Sequence, residues 1–341
     1  MVAFIDMDRK KESAATFSAP LKSAVRDMAQ AGKVVEAGDL PWFKVWMTAV
    51  RPFAYTASAL AVVLGLAIAF YSGYPIHWGP FALTLLGVLC FHTAANLLND
   101  CYDHRRGLDT QVFPMSGAVV RGWLTEAKVF RAAALLLSVG VLCGLYLTWY
   151  AGWVVLLLGG LGALFSVGYT TPRFCFKYVG LGDLAIFFSF GILIVFGTFW
   201  VQAKEFRWLP VLWSLPPVLL TNGILHANNW RDLESDPQRG CRTVANALGS
   251  RGSEAYYRVQ VFGPFVLLAV YLLLDLIPGL GIITPLTTLS AVLALPLAIR
   301  LARVKRHGTP EQFAMLDGST AQLHLVFTVL CSVAFFAGRY L

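Results

Sequence analysis

Residues 79–103, GPFALTLLGVLCFHTAANLLNDCYD, run from Gly79 to Asn99 without an acidic or strongly basic side chain and then place two aspartates in their last turns. An apolar run of that length is a membrane helix. At 1.5 Å per residue, about 20 residues cross a hydrocarbon layer of roughly 30 Å. A second stretch, residues 209–236, LPVLWSLPPVLLTNGILHANNWRDLESD, repeats the plan and ends in two more aspartates. An aspartate costs about 2.5–3.5 kcal/mol at the centre of a membrane helix and less near the interface, so four acids at matched ends need compensation.

On an α-helix at about 100° per residue, Asn96, Asp100 and Asp103 fall within roughly 60° of one another, and Asn228, Asp232 and Asp236 within roughly 80°. Two such faces opposed across a bundle would repel unless a divalent cation lay between them, and hard oxygen donors of this kind suit Mg²⁺ bridging to phosphate. The pattern therefore asks for a metal diphosphate. The plainer alternative pairs Asp100 and Asp103 with Arg105 and Arg106, and Asp232 and Asp236 with Arg231 and Arg239, as solvated helix ends. Asp109 lies past Gly107 and reaches such a site only through a folded loop.

The rest of the chain follows the same logic. Of 341 residues, 57% are hydrophobic and 13% charged, and the mean hydropathy is +0.64, which excludes an ordinary soluble domain. The expected architecture is all-α and polytopic. Nine transmembrane helices are expected near 48–70, 79–99, 129–149, 152–171, 183–202, 209–228, 257–276, 279–300 and 321–340. In that layout all of the 27 Lys and Arg except Lys204, Arg207 and Arg339 fall on one side. By the positive-inside rule the N-terminus is cytoplasmic, both acidic clusters open to the cytoplasm, and the C-terminus is outside. Residues 1–45 read as a partly disordered cytosolic leader without a signal-peptide core, and 46–341 as the membrane domain of a multi-pass protein of the cell inner membrane. The two acidic stretches, both entering from outside, suggest an old duplication of a four-helix unit with a ninth helix added.

The net charge of +8 sits beside membrane spans, where it sets topology and meets anionic head groups, so no nucleic acid partner is expected. No obligate protein partner is expected either. The six cysteines lack CxxC spacing and read as small apolar residues. A diphosphate leaving group needs cationic donors, for which Arg51, Arg121 in SGAVVRG, Lys177 in YTTPRFCFKY and Arg242 in GCRT are candidates. Trp42, Trp149 and Trp208 belong to an interfacial belt, and His226 reads as a hydrogen-bonded packing residue.

These residues resemble the UbiA superfamily of intramembrane prenyltransferases, and within it the MenA-like branch that uses 1,4-dihydroxy-2-naphthoate. The resemblance runs from about Trp46 to the C-terminus. It is carried by RPFAYTASA from Arg51, NLLNDCYDHRRGLDT from Asn96, SGAVVRG from Ser116, YTTPRFCFKYVGLGD from Tyr169 and ILHANNWRDLESD from Ile224, followed by GCRTVANALG. It implies nine helices around a central cavity and Mg²⁺ ions held by the aspartate motifs. A polyprenyl diphosphate would be the donor and an aromatic compound the acceptor, in menaquinone biosynthesis. Asp100, Asp103, Asp232 and Asp236 would be the catalytic metal ligands. Asn96, Asn228, Arg121, Lys177 and Asp183 would bind substrate, with Asp183 of GLGD on the acceptor side. One departure is the loop SDPQRGCRT, which has Cys241 where the MenA-like pattern has a lysine. Acceptors such as 4-hydroxybenzoate, a tetrapyrrole or a glycerol phosphate lipid fit the same scaffold. A cation transporter would need charges continuing through the bilayer, whereas these gather at one face. The CDP-alcohol phosphotransferase pattern DGxxAR is absent.

Overall fold

The computed structural model of the protein describes residues 41–105, 117–171, 175–277 and 284–341. The expected leader, residues 1–45, therefore falls almost wholly outside the described residues, as does Asp109. In chain order the helices are α1 (Trp42–Val50), α2 (Tyr55–Tyr71), α3 (Trp78–Arg105), α4 (Glu126–Ala151) and α5 (Trp153–Gly168). They continue with α6 (Gly182–Ala203), α7 (Trp208–Arg231), α8 (Val244–Leu274), α9 (Leu286–Ala302) and α10 (Leu316–Gly338). The described residues contain no β-strand, only an isolated bridge between Val179 and Arg242.

Each of α2 to α10 packs on its neighbour in sequence, and α10 returns to α2, so the helices close into a ring; α2 also crosses the ring to α6. Leu135, Leu142, Leu156, Val266 and Leu293 remain more than half exposed on the outside of the ring, as expected where the solvent is lipid. The belt tryptophans Trp42, Trp149 and Trp208 are exposed at helix termini.

Membrane crossing is where expectation and structure differ. Among the described residues, six helices are long and apolar enough to span, and up to seven if α1 and α2, bent by 65° at their junction, form one span. The nine expected spans are thus not all met, because α5 and α9 are apolar but short. At 1.5 Å per residue, the 16 residues of α5 reach only about 24 Å.

Local breaks in the helices position side chains. Pro52 supplies no N–H to continue α1, and Arg51 before it adopts φ 54° and ψ 60°, turning the chain sharply into α2. Gly65 lets α2 and α6 touch, since a Cβ there would lie 2.4 Å from the Val195 carbonyl oxygen and 2.8 Å from Thr198 Cβ. Within α6, residues Phe187–Leu193 are π-helical, and α8 is kinked at Gly249, with φ 64° and ψ 177°. Thr243 caps α8 in a reciprocal pairing with Asn246, which satisfies the end of the helix that follows the second acidic motif.

Candidate active site

The ring encloses a cavity of about 920 Å³ lined from α2, α3, α4, α5, α6, α7 and α10, with α8 and α9 packed outside it. Its lining on α3 runs from Leu83 to Asp103, which is about 30 Å along the helix axis. The charged residues lining it are Arg51, Asp103, Lys177, Arg231, Asp232, Asp236 and Asp317. All belong to one end of the bundle, where α3 and α7 finish and α2 and α10 begin. Below them the wall is apolar, with Phe91, Phe165, Phe190, Leu193 and Leu225 beside glycines of α4, α5 and α6.

On α3 the cavity takes Asn96, Asn99 and Asp103. Lys177 Nζ donates to Asp103 Oδ2 at 2.6 Å and to Asn99 Oδ1 at 3.2 Å, and Tyr178 Oη donates to Asp103 Oδ1 at 2.5 Å. Asn96 lies one turn deeper, and its Nδ2 donates to the Val50 carbonyl at 3.1 Å, tying α3 to the bend that carries Arg51.

Asp100 is placed differently from the sequence expectation. It is fully buried and is not among the residues lining the cavity. Its Oδ1 and Oδ2 accept the backbone N–H groups of Gly117 and Val119, each at 3.1 Å, with Arg51 Nη2 3.6 Å from Oδ1. Asp100 thus anchors the turn after the first acidic motif. The sequence reading passed over Asn99, although the Asn-x₃-Asp spacing of Asn228 and Asp232 occurs twice in NLLNDCYD, as Asn96/Asp100 and as Asn99/Asp103.

The second motif faces the first across the cavity. Asn228 and Asn229 lie in the last turns of α7, Asp232 is its C-terminal cap, and the turn to Asp236 closes through the Asp236 N–H on the Asp232 carbonyl at 3.0 Å. The buried Arg231 side chain binds Asp232 at 3.0 Å and Asp317 at 3.1 Å, and also donates to Asn228 Oδ1. Asp317, in the first turn of α10, was not anticipated; the signal was an acid opening the last apolar run. The solvated-end alternative is met only in part. Arg231 does pair with Asp232, but inside the site, while Arg105 pairs with Glu126 at 2.8 Å.

Arg121, Arg242 and Asp183 lie apart from the cavity. Arg121 stacks on Trp123 with its guanidinium carbon 4.4 Å from the ring centroid, and it is not among the lining residues. Burial draws its guanidinium below the ordinary value, against the upward pull of Asp100. Arg242 is exposed, and its backbone N–H donates to the Tyr178 carbonyl at 3.1 Å. Asp183 is buried, accepts from Tyr256 Oη at 3.2 Å, and borders a separate void of about 10 Å³ that shares Tyr169 and Lys177 with the main cavity. Cys241 lines the cavity, with its Sγ–H directed to the Lys177 carbonyl at 3.8 Å. His226 is buried, its Nε2 3.3 Å from the Ser253 carbonyl.

No group of three or more His, Cys, Asp or Glu among the described residues forms a self-sufficient metal cage. Carboxylate and amide oxygens from α3, α7 and α10 nevertheless meet beside Arg51, Lys177 and Arg231. This donor chemistry fits Mg²⁺, which keeps waters and shares few protein carboxylates with substrate phosphates.

Comparison with known proteins agrees with this architecture. The model of the UbiA prenyltransferase family matches residues 58–337. The chain is 32% identical over 286 residues to "UbiA prenyltransferase domain-containing protein 1" of Xenopus tropicalis, covering 82% of this chain and 78% of that protein. The human protein of the same name is 31% identical, with coverage of 82% and 80%. Among solved structures, a UbiA homolog from Aeropyrum pernix K1 superposes with a TM-score of 0.61 at 15% identity, over 84% of this chain and 98% of that one. A UbiA homolog from Archaeoglobus fulgidus, bound to GPP and Mg²⁺, gives 0.59 at 13% identity, over 87% and 100%.

Proposed function

The chain belongs to the UbiA prenyltransferase family, and we propose that it transfers a prenyl group from a polyprenyl diphosphate to a hydroxylated aromatic acceptor, 1,4-dihydroxy-2-naphthoate, at the mouth of its cavity. The observation that carries this reading is the opposition of Asn99, Asp103 and Lys177 to Asn228, Asp232 and Arg231 above an apolar cavity. A diphosphate head needs oxygen donors for its metal and cations for its charge, and an isoprenoid tail needs a dry wall. Among the described residues no charged side chain lines the cavity at depth, which disfavours the transporter alternative.

Asn99, Asp103, Asn228, Asp232, Asp236 and Asp317 are the residues that would hold Mg²⁺. When bound, Mg²⁺ would neutralise the diphosphate and stabilise the charge it carries away. Lys177 and Arg51 donate to the departing diphosphate oxygens as the C1–O bond breaks and its electron pair leaves on the diphosphate oxygen. Arg231, held between Asp232 and Asp317, keeps the second motif in register. The faces of Phe91, Phe165 and Phe190 stabilise the allylic cation, and the apolar wall excludes water that would quench it. The acceptor ring attacks C1 and then loses a proton or its carboxyl group. Within this reading α5 and α9 also cross the bilayer to give nine spans, and the N-terminus and cavity mouth face the cytoplasm. The motif pattern from Tyr169 to Asp183 and from Ile224 to Asp236 supports the dihydroxynaphthoate assignment.

The test is a prenyl-transfer assay with purified protein in lipid vesicles. It pairs polyprenyl diphosphates of several lengths with dihydroxynaphthoate, 4-hydroxybenzoate, a tetrapyrrole and a glycerol phosphate lipid, with and without Mg²⁺. Mg²⁺-dependent prenylation of dihydroxynaphthoate is expected. Transfer to another acceptor with none to dihydroxynaphthoate would overturn the acceptor assignment, and undiminished transfer after chelation would overturn the metal.

A further inference from the structure

His92 is the one histidine among the described residues that lines the cavity. It sits on α3 seven residues before Asn99, about 10 Å deeper along the axis. We propose that His92 is the hydroxyl-binding residue of the acceptor subsite: its Nε2 accepts a hydrogen bond from a ring hydroxyl and so fixes which ring carbon meets C1 of the prenyl donor. This rests on the aromatic-acceptor reading above and extends it to a named side chain.

The hydrogen bond from the His92 ring to Ser58 fixes the imidazole's orientation. Ser58 Oγ donates its single proton to the Tyr55 carbonyl at 3.3 Å, and it lies 2.8 Å from His92 Nδ1. In the proposed subsite the tautomer is the one in which that proton stays on the Tyr55 carbonyl and Ser58 accepts from Nδ1–H, so that Nε2 is a lone-pair acceptor. Among the described residues no hydrogen bond is made to Nε2. The ring plane is held by edge contacts with Phe190, at 4.9 Å between centroids, and Tyr55, at 5.5 Å. Tyr55 is itself fixed by its hydroxyl, 2.6 Å from Thr93 Oγ1, whose proton goes to the Leu89 carbonyl at 2.7 Å.

Five neighbouring hydroxyls do not compete for this role. Thr84, Ser166, Ser189, Thr198 and Thr221 line the same apolar part of the cavity, and each donates its hydroxyl proton to a backbone carbonyl. They therefore present oxygens whose proton is spent, on flexible hydroxyls close to the helix backbone. His92 presents a nitrogen acceptor on a rigid ring braced from three sides. A buried acceptor of this kind that meets no donor is costly, and a planar ring carrying hydroxyl groups supplies the donor. An isoprenoid tail has none.

Methyl-ether discrimination tests the assignment in full-length protein reconstituted in vesicles. Wild type, His92→Met, His92→Gln and Ser58→Ala are assayed with dihydroxynaphthoate and with each of its monomethyl ethers. Intrinsic reactivity differences between a phenol and its ether cancel when the ratio of kcat/KM values is compared across proteins. Wild type should prefer one free hydroxyl over its ether, and His92→Met should lower acceptor kcat/KM about tenfold and erase that preference. KM for the prenyl diphosphate should stay unchanged, and Gln, which keeps a carbonyl acceptor, should recover part of the preference. Ser58→Ala leaves the ring in place but releases its tautomer, so it should weaken the preference even if the Met variant does not fold. An unchanged preference in either of these two variants, or an equal rise in donor KM, would overturn the role of His92. Wild type that prenylates no hydroxylated aromatic would instead remove the acceptor reading itself, and this subsite with it.

Discussion

Lys177 Nζ lies 2.6 Å from Asp103 Oδ2, so the loop before α6 is joined to the last turns of α3 by a charge pair at the mouth of the cavity. Asp103 is nearly buried, and Tyr178 from the same loop holds its other oxygen at 2.5 Å. The loop and the first motif are therefore one unit. A metal diphosphate entering here would compete for the oxygens that Lys177 now occupies and would receive Lys177 as a donor in exchange.

Replacing Lys177 by Met should raise KM for the prenyl diphosphate at least about tenfold, the loss of one charge-assisted contact. It should also lower stability by about 1–3 kcal/mol, because the buried Asp103 loses its cationic partner. Donor saturation kinetics and thermal unfolding in detergent check the two effects. Unchanged donor KM would remove Lys177 from the diphosphate site.

Asp100 and Asp103 should behave as different kinds of residue. Asp100→Ala leaves the Gly117 and Val119 N–H groups without their acceptor, at about 1.5–3 kcal/mol for a hydrogen bond to a charged group. A lower melting temperature should accompany its loss of activity. Asp103→Asn keeps one oxygen to accept from Lys177 and an amide N–H that can donate to the Tyr178 hydroxyl, so it should lose turnover with a smaller change in melting temperature. Equal melting behaviour in the two variants would contradict the anchoring role of Asp100.

Gly65→Ala should destabilise the bundle by about 1–3 kcal/mol, because its Cβ meets the Val195 carbonyl and Thr198 Cβ at distances no side-chain carbon tolerates. Gly144, which lines the cavity and has nothing within 4 Å of its added Cβ, is the control and should accept alanine without loss of melting temperature. Thermal unfolding of the two variants side by side decides it.

A reporter fused after Leu341 should appear on the side opposite to one inserted in the 237–254 loop. In the nine-span layout both acidic motifs would share a side with most of the basic residues, and Arg339 would stand nearly alone at the other end. The insertion reporter should be cytoplasmic. Accessibility labelling of intact cells reads this out, and both reporters on one side would break the odd-span layout.

The sequence by itself determined the membrane class, the all-α fold and the two acidic helix ends. Each of these follows from hydropathy and charge along the chain, which the bilayer reads residue by residue. It also placed Lys177 among the cations, since a basic residue between apolar runs has few other uses. Tertiary structure decided the register of the first motif. Asn96/Asp100 and Asn99/Asp103 have the same spacing and are offset by three residues, about 60° around the helix, so periodicity alone cannot separate them. The choice is made by the rotation of α3. The bend at Arg51 takes Asn96, the turn at Gly117 takes Asp100, and Asp103 and Asn99 are left to the cavity. Arg121 shows the same limit, because a basic residue flanked by glycines looks free in sequence, yet it lies against Trp123. Asp317 joins the site only because α10 returns to α7, where the buried Arg231 binds it together with Asp232. A contact between residues so far apart in the chain leaves no periodic trace, and only ring closure brings those charges within reach of one guanidinium.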